Sequence, residues 1–189
     1  MASVRSGDRA IVYEIVNREL IDINNRSAKH SYIAIILSAV LFNCVSTRKL
    51  GAMFDCSTAF KMKSGNKRWP DISFMAKERL QGLEELPDAF LEGTPDLAVG
   101  ILSSGNTVAE IHDKLLEYFE NGARLGWVIH PQEGYVLVYR SSQEPDRLLK
   151  STYSLDGEEI VPGFTLPVAE FFQKLAFSGK CDRKMSLSY

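Results

Sequence analysis

The chain has 189 residues and a mass of 21.2 kDa, which is enough for one hydrophobic core of ordinary size. With 45% hydrophobic and 24% charged residues, the composition excludes the disordered, collagen-like and disulfide-scaffold classes. The net charge of −2 excludes a broad positive surface. Any contact with nucleic acid would therefore depend on a local basic patch.

The cysteine content and the apolar segments predict where in the cell the protein is located. Cys44, Cys56 and Cys181 are odd in number and widely spaced, which argues against a disulfide framework and against a thiolate zinc site. The N-terminus has no apolar stretch of signal-peptide length. Residues 32–45 are apolar but interrupted by polar side chains, and they are shorter than a membrane span. We therefore expect a cytoplasmic protein without a membrane segment.

The N-terminal third predicts a hairpin followed by a helix. The strand-like runs YEIV and ELIDI flank Asn17 and Arg18, which indicates a tight turn. Ser27 then precedes apolar residues at helical spacing as far as Val45, which predicts a capped helix. The runs AMFDCSTAFKM and PDISFM follow as strands around the basic turn KSGNKR. Residues 77–94 are acidic and turn-rich, and we expect them on the surface.

The middle of the chain predicts a strand, a helix and two more strands. Residues 95–102, PDLAVGIL, form an apolar run of strand length, typical of a central strand buried on both faces. Thr107 and Glu110 form a capping box that opens a helix running to about Glu120. Two further strands follow at 127–130 and 135–139, and a short helix follows at 168–177. This order favours an α/β fold.

Two aspartates are candidate metal ligands. Asp71 and Asp96 each follow a proline and each lead into an apolar strand. A carboxylate at the end of a buried strand is costly unless it has a partner, a metal ion or water. The alternative is that each aspartate caps a turn.

Basic residues supply the second part of a candidate site. Lys114 lies at the border of the buried face of the predicted helix, where its ammonium group could reach the strand ends. The alternative is a surface lysine whose stem lies along apolar residues. The basic turn before Asp71 could hold a phosphate backbone, or it could be a solvated tip that protects a sheet edge. Its residues are Lys61, Lys63, Lys67 and Arg68.

Taken in order, several segments resemble the Uma family of restriction endonucleases, within the PD-(D/E)XK nuclease-like superfamily. The segments are YEIVNRELIDI, His30, KRWPDISFM, FLEGTPDLAVGILS, DKLLEYFENGARLGWVIHP, YVLVYR and VPGFTLPVAEFF. The resemblance covers most of the chain. It implies a restriction-endonuclease-like α/β core, with a mixed central sheet flanked by helices and a divalent-metal site where two central strands diverge.

The resemblance also implies roles for individual residues. Asp71 is similar to the family's metal-binding aspartate, and Asp96 matches the aspartate that opens the next strand. Lys114 resembles a catalytic lysine that has moved onto the following helix. The resemblance implies Mg²⁺ or Mn²⁺ as cofactor and DNA as partner, with the metal activating water and the lysine steadying charge on the phosphoryl group.

The sequence departs from the family at Gly100. The family strand typically reads PDLVVEVLS, with a glutamate as the second metal-binding carboxylate, whereas this chain reads PDLAVGILS. Asp96 lies four residues away, roughly 13 Å along a strand, which is too far for it to substitute. Glu14 or Glu19 could contribute instead. We therefore expect metal-dependent cleavage to be impaired.

The predicted organisation is one restriction-endonuclease-like domain over residues 1–189. Within it we expect an N-terminal hairpin and helix at 10–55, a catalytic-type core at 56–140 and a C-terminal extension at 141–189. Two alternatives to an impaired endonuclease stay open: a non-catalytic descendant that binds nucleic acid or protein, and a structural oligomer. Edge strands such as YVLVYR would favour a homodimer.

Overall fold

The computed structural model describes residues 3–6, 9–22, 27–103 and 106–172. The described part contains four helices and fourteen strands. The helices are α1 (Ala28–Arg48), α2 (Lys77–Leu80), α3 (Val108–Glu120) and α4 (Val168–Phe172). The strands are β1 (Ser3–Ser6), β2 (Arg9–Val16), β3 (Glu19–Asp22), β4 (Gly51–Asp55), β5 (Ala59–Lys61), β6 (Lys67–Arg68), β7 (Ile72–Ala76), β8 (Phe90–Glu92), β9 (Leu97–Ile101), β10 (Leu125–His130), β11 (Tyr135–Tyr139), β12 (Arg147–Leu149), β13 (Ser154–Asp156) and β14 (Thr165–Pro167).

The central sheet has the strand order β12-β11-β10-β9-β7-β4. The pair β9 and β10 is parallel, because α3 carries the chain from one strand back to the start of the next. All other pairs in this sheet are antiparallel. The predicted mixed sheet is confirmed, and β9 occupies the central position that its apolar sequence predicted.

Helix α1 covers one face of the central sheet. Its first turn is capped by Ser27, whose hydroxyl accepts from the His30 N–H, and Ile33, Leu37 and Leu41 are fully buried against the sheet. The helix is longer than the predicted apolar segment, and by length and composition alone it is long enough to cross a membrane. The expectation that this segment is too short to span a membrane is therefore wrong. Burial of one side of α1 in the core is what favours a helix of a globular fold.

Helix α3 covers the opposite face and begins with the predicted capping box. Thr107 accepts from the Glu110 N–H, and the Glu110 carboxylate accepts from the Thr107 N–H. Small residues lie beneath the helix, since a Cβ added at Gly100 would lie 2.8 Å from Ile111 Cγ2, and one added at Gly126 would lie 3.2 Å from Leu115 and Phe119. The missing side chains allow α3 to approach β9 and β10 closely.

A second sheet joins the N-terminal strands to the basic turn. Its order is β1-β2-β6-β5-β8, with β3 also paired to β2. The predicted hairpin is confirmed, because Asn17 and Arg18 both have positive φ, as a two-residue turn between β2 and β3 requires. Strand β2 pairs with β6 through Ile15 and Lys67, which places the N-terminal hairpin beside the start of β7.

Four expectations need correction or restriction. The segment YVLVYR is not a sheet edge, because β11 pairs with β10 on one side and β12 on the other. The surface segment 77–94 contains α2 and β8, the latter paired with β5. The last predicted helix is described only over Val168–Phe172, and its continuation to 177 lies outside the described residues. Strand β4 precedes the predicted boundary at 56 but pairs with β7 beyond it.

Candidate functional site

Asp71 stands at the point where β7 and β9 begin to separate. Ile72 pairs with Val99, so the register places Asp71 opposite Gly100. The Asp71 N–H donates to the Val99 carbonyl at 2.9 Å, and Asp71 Oδ2 accepts from the Ile101 N–H at 2.8 Å. The backbone of β9 thus fixes both the main chain and one carboxylate oxygen of Asp71.

His30 contacts the other carboxylate oxygen of Asp71. His30 Nε2 lies 3.2 Å from Asp71 Oδ1, and the imidazole is buried in the first turn of α1. Burial acts to raise the pKa of Asp71, but the hydrogen bond and charge interaction with His30 act to lower it. Lys114 and the Ile101 N–H add to the same effect, so the pKa of Asp71 lies below its ordinary value. Asp71 is therefore held as a carboxylate.

Glu14 is a buried carboxylate that contacts the backbone two residues before Asp71, and only 3% of the residue is exposed. Glu14 Oε1 accepts from the Trp69 N–H at 3.0 Å and from the ammonium group of Lys114, while Oε2 lies 3.2 Å from Arg68 Nη1. Burial acts to raise the pKa of Glu14, but these partners, Lys114 foremost, hold it below its ordinary value. The structure thus brings Glu14 into the site, whereas Glu19 lies exposed in β3.

Lys114 reaches this group from the middle of α3. Its Nζ donates to the Trp69 carbonyl and also contacts Glu14, and its side chain is largely buried. The close approach of α3 to the sheet brings the lysine to the strand ends. The structure therefore brings Lys114 and Asp71 together, as the sequence predicted, although Lys114 is also committed to Glu14.

Arg68 points inward from the basic turn and bridges two carboxylates. Its Nε lies 2.6 Å from Glu117 Oε2 and its Nη1 lies 3.2 Å from Glu14 Oε2. Burial acts to lower the pKa of Arg68, but the hydrogen bond and charge of Glu117, with those of Glu14, raise it above its ordinary value. Asn66 also donates to Glu117 Oε1 at 2.6 Å. The guanidinium group therefore belongs to the interior of the site.

The three lysines of the basic turn lie nearer the surface. Lys61 and Lys67 both lie over the Phe90 ring, at 5.2 and 4.4 Å from its centroid, and Lys61 also pairs with Glu92. Lys63 is exposed. Lys61 and Lys67 are cross-strand partners on the face of β5 and β6 opposite to the inward side chain of Arg68, and with Lys63 they form the basic surface of the turn.

Asp96 lies at the other end of β9. Its Oδ2 accepts from the Ala76 N–H at 2.8 Å, and its Oδ1 lies 3.5 Å from Arg79 Nη1. Since Phe74 pairs with Leu97, Asp96 is next to the C-terminal end of β7, whereas Asp71 precedes the N-terminal end. The structure does not bring Asp96 to the site of Asp71.

The position opposite Asp71 carries no side chain. A Cβ added at Gly100 would lie 2.8 Å from Ile111 Cγ2, closer than real Cβ contacts, and Ile111 is itself buried. A glutamate would therefore require Ile111 or α3 to move. The absence of a carboxylate at position 100 therefore goes together with the packing of Ile111 against that position.

The residues present do not fit a divalent metal ion in their observed arrangement. Among the described residues, no group of three or more His, Cys, Asp or Glu side chains is placed to hold one. Glu14 is occupied by three donors, Gly100 supplies no ligand, and Asp71 is engaged by Ile101 and His30. Mg²⁺ is bound through carboxylates and water, and here the internal cations Lys114 and Arg68 already neutralise the carboxylate charge.

The mixed sheet, with one helix on each face and buried charged residues at the ends of two central strands, is the fold of a nuclease-like α/β protein. A crystal structure from Anabaena variabilis, described as "a putative nuclease belonging to DUF820", is similar with a TM-score of 0.77. The two sequences are 23% identical, and the match covers 89% of this chain and 93% of the other.

The model of the Uma2 family, described as "Putative restriction endonuclease", matches residues 7–169, and the chain belongs to this family. A comparison with curated proteins found no match. The family resemblance and the fold expected from the sequence are confirmed.

The sequence did not identify Glu117 as a member of the site, and it gave His30 only as part of the family resemblance, without a role. Glu117 lies three residues after Lys114, so both share one face of α3, and this spacing was a usable signal. The contact between His30 and Asp71 had no such signal, because it joins the first turn of α1 to a strand about forty residues later in the chain.

Proposed function

We propose that this chain is a nuclease-like protein that binds DNA and whose metal-dependent phosphodiester cleavage is strongly impaired. The observation that carries the proposal is the pair Gly100 and Ile111. The position opposite Asp71 has no carboxylate, and a buried isoleucine lies where its side chain would start. The family supports phosphodiester chemistry as the ancestral activity.

The charges of the site support the same proposal. Glu14 and Glu117 are engaged by Lys114 and Arg68, so two carboxylates are matched by two internal cations. Asp71 is also engaged, by the Ile101 N–H and His30, whereas Mg²⁺ sites on phosphate substrates use one or two protein carboxylates with substrate oxygens and water. The predicted Mg²⁺ or Mn²⁺ dependence stays a prediction of the family resemblance.

DNA binding is supported by the basic surface of the turn that precedes Asp71. Lys61, Lys63 and Lys67 are grouped on one turn, while Arg68 anchors that turn to Glu14 and Glu117. Lysines on a fixed turn can contact phosphate oxygens without reading sequence. We propose that these three lysines contact the DNA and that Arg68 positions their turn. A cytoplasmic location is part of the same proposal.

The test is a cleavage assay on plasmid and single-stranded DNA with Mg²⁺ or Mn²⁺, beside a binding assay on the same DNA in EDTA. We expect binding in EDTA and little or no cleavage with either ion. Robust cleavage by the unmodified protein that Asp71→Ala abolishes would contradict the impairment. Absence of any salt-sensitive binding would contradict the role in binding DNA.

A double variant tests the structural reason for the impairment. Gly100→Glu combined with Ile111→Ala supplies the carboxylate and removes the methyl group that blocks it. We expect this pair to cleave faster than the unmodified protein. The matched control, Gly100→Gln with Ile111→Ala, has nearly the same volume without the charge and should not gain activity. An equal gain in both variants would show that the carboxylate is not what the site lacks.

A further inference from the structure

Strand β4 is a bare edge of the central sheet. No strand in the described part of the chain pairs with its outer side. The Lys77 N–H donates to the Leu50 carbonyl, so the alternation of an antiparallel pair turns the backbone groups of Gly51 and Met53 away from β7. The strand has five residues, without proline or lysine, and its only charge is Asp55 at the end. Such an edge is a template for another strand.

The opposite edge of the sheet is protected differently. Strand β12 has three residues, and its Arg147 is exposed and pairs with Glu158 at 3.3 Å. A short strand with a charged side chain discourages pairing with another chain. The two edges of the central sheet therefore differ, and only β4 has the length and composition of an edge that can pair with another strand.

Helix α1 carries an exposed apolar stripe, and the part of it at Phe42 lies beside the bare edge. Ile35 is 67% exposed and Phe42 is 61% exposed, seven residues apart on one side of the helix. Residues 31–47 contain no charged side chain. Between this stripe, β4 and α2 lies a groove of about 640 Å³, whose lining includes Phe42, Met53 and Leu80. Exposed aromatic and aliphatic side chains around a groove mark an interaction surface.

The charges around the groove are complementary to those of a second copy. Lys49 and Lys77 line the groove near Gly51, and Asp55 lies at the other end of β4, where its Oδ1 accepts from the Ser57 N–H. If β4 pairs with itself antiparallel about Met53, Asp55 of each copy lies opposite Gly51 of the other. Each carboxylate then faces the two lysines of the second copy.

We propose that the chain forms a symmetric dimer through antiparallel pairing of β4 with β4 of a second copy, centred on Met53. The apolar stripes of the two α1 helices flank the joined strands, and Asp55 pairs with Lys49 and Lys77 across the interface. A twofold interface of this kind uses the same surface on both copies. Because β4 is bonded to β7, both candidate sites then belong to one continuous sheet.

The first test measures the mass of the full chain by light scattering and sedimentation velocity. We expect a particle with twice the chain mass of 21.2 kDa. Phe42→Lys places a charge in the interface on an exposed position, and we expect it to weaken the dimer about tenfold or more. Leu148→Lys is the matched control, because Leu148 is 49% exposed on the opposite edge strand. It should leave the dimer intact.

The second test fixes the register. In an antiparallel pair, two directly opposite residues that exchange backbone hydrogen bonds have Cα atoms about 5.5 Å apart. A disulfide can bridge this distance. We expect Met53→Cys, with Cys56→Ser and Cys181→Ser, to form a covalent dimer on mild oxidation, and Leu148→Cys in the same background to remain uncrosslinked.

The third test exchanges the charges of the interface. Asp55→Lys should weaken the dimer, and Asp55→Lys combined with Lys49→Asp and Lys77→Asp should restore it. A chain that is monomeric at micromolar concentration would overturn the proposal, as would a dimer unaffected by Phe42→Lys. Partition of a monomeric chain onto phosphatidylglycerol vesicles, abolished in Phe42→Lys, would assign the stripe to a membrane and also overturn it.

Discussion

Glu14 is a negative charge almost completely removed from water, and the fold holds it with a lysine, an arginine and a backbone N–H. Removing two or three charges from water costs several kcal/mol, which good geometry and additional hydrogen bonds must offset. Losing Glu14 leaves Lys114 buried without its carboxylate partner and leaves Arg68 with Glu117 alone. The chain consequently depends on Glu14 for stability, whatever else the site does.

Glu14→Gln should lower the free energy of unfolding by about 3–5 kcal/mol, because it leaves Lys114 and Arg68 without their shared carboxylate. Urea unfolding followed by circular dichroism measures the change. Glu92→Gln is the control, because Glu92 forms an exposed pair with Lys61. It should cost at most about 1 kcal/mol. Equal effects of the two substitutions would show that Glu14 is not a buried partner.

Acid should destabilise the chain through the same carboxylates. The pKa values of Glu14 and Asp71 lie below their ordinary values of 4.5 and 3.8, so the folded state favours the ionised forms. Their contribution is complete above these ordinary values and disappears as the pH falls through the lower folded values. We expect Asp71→Asn to flatten the fall of unfolding free energy below about pH 4. An unchanged dependence of the unfolding free energy on pH would contradict a lowered pKa of Asp71.

At the scale of elements, α3 and β9 are packed too closely for a side chain at position 100. Gly100→Ala should cost about 1–3 kcal/mol, because its Cβ would lie 2.8 Å from Ile111 Cγ2. The loss of unfolding free energy should be smaller in an Ile111→Ala background. A double-mutant cycle then measures the coupling energy between positions 100 and 111. Gly126→Ala, with contacts at 3.2 Å, is the matched comparison and should cost less. Equal costs in both backgrounds would rule out the proposed contact.

Local patterns predicted most of the elements. The capping box at Thr107 and Glu110, the buried run of β9 and the turn at Asn17 and Arg18 each specify their structure through neighbouring residues. Local patterns did not predict the length of α1 or the pairing of β11 with β12. Whether a strand is an edge depends on which other strands pair with it. Pairing between distant strands has no short-range signature.

The site was predicted in part for the same reason. Asp71 and Lys114 were candidates from their positions at a strand start and on a helix face, the family resemblance gave them roles, and the structure brings them together. The inward direction of Arg68 could not be read from a run of basic residues, because only the fold shows that Glu14 and Glu117 lie beneath that turn. Asp96 resembles Asp71 in sequence but lies at the opposite strand end, since β7 and β9 are antiparallel.

At the scale of the whole molecule, a net charge of −2 conceals a local basic surface on one turn. Replacing Lys61, Lys63 and Lys67 by alanine should weaken DNA binding and lower the slope of log K against log salt by roughly one for each phosphate that a lysine no longer neutralises. Lys150→Ala is the control, since Lys150 is exposed at the end of β12. An unchanged salt dependence in the triple variant would place the DNA elsewhere.

We propose that the internal cations Lys114 and Arg68 take the place of a metal ion among the carboxylates of this nuclease-like fold. The most direct measurement is anomalous diffraction from crystals of the unmodified protein soaked in Mn²⁺. We predict that Glu14 keeps its contacts with Lys114 and Arg68 and that no ordered ion lies between Glu14 and Asp71. An ordered Mn²⁺ coordinated by Asp71 and a second carboxylate would contradict this replacement of the metal ion by internal cations.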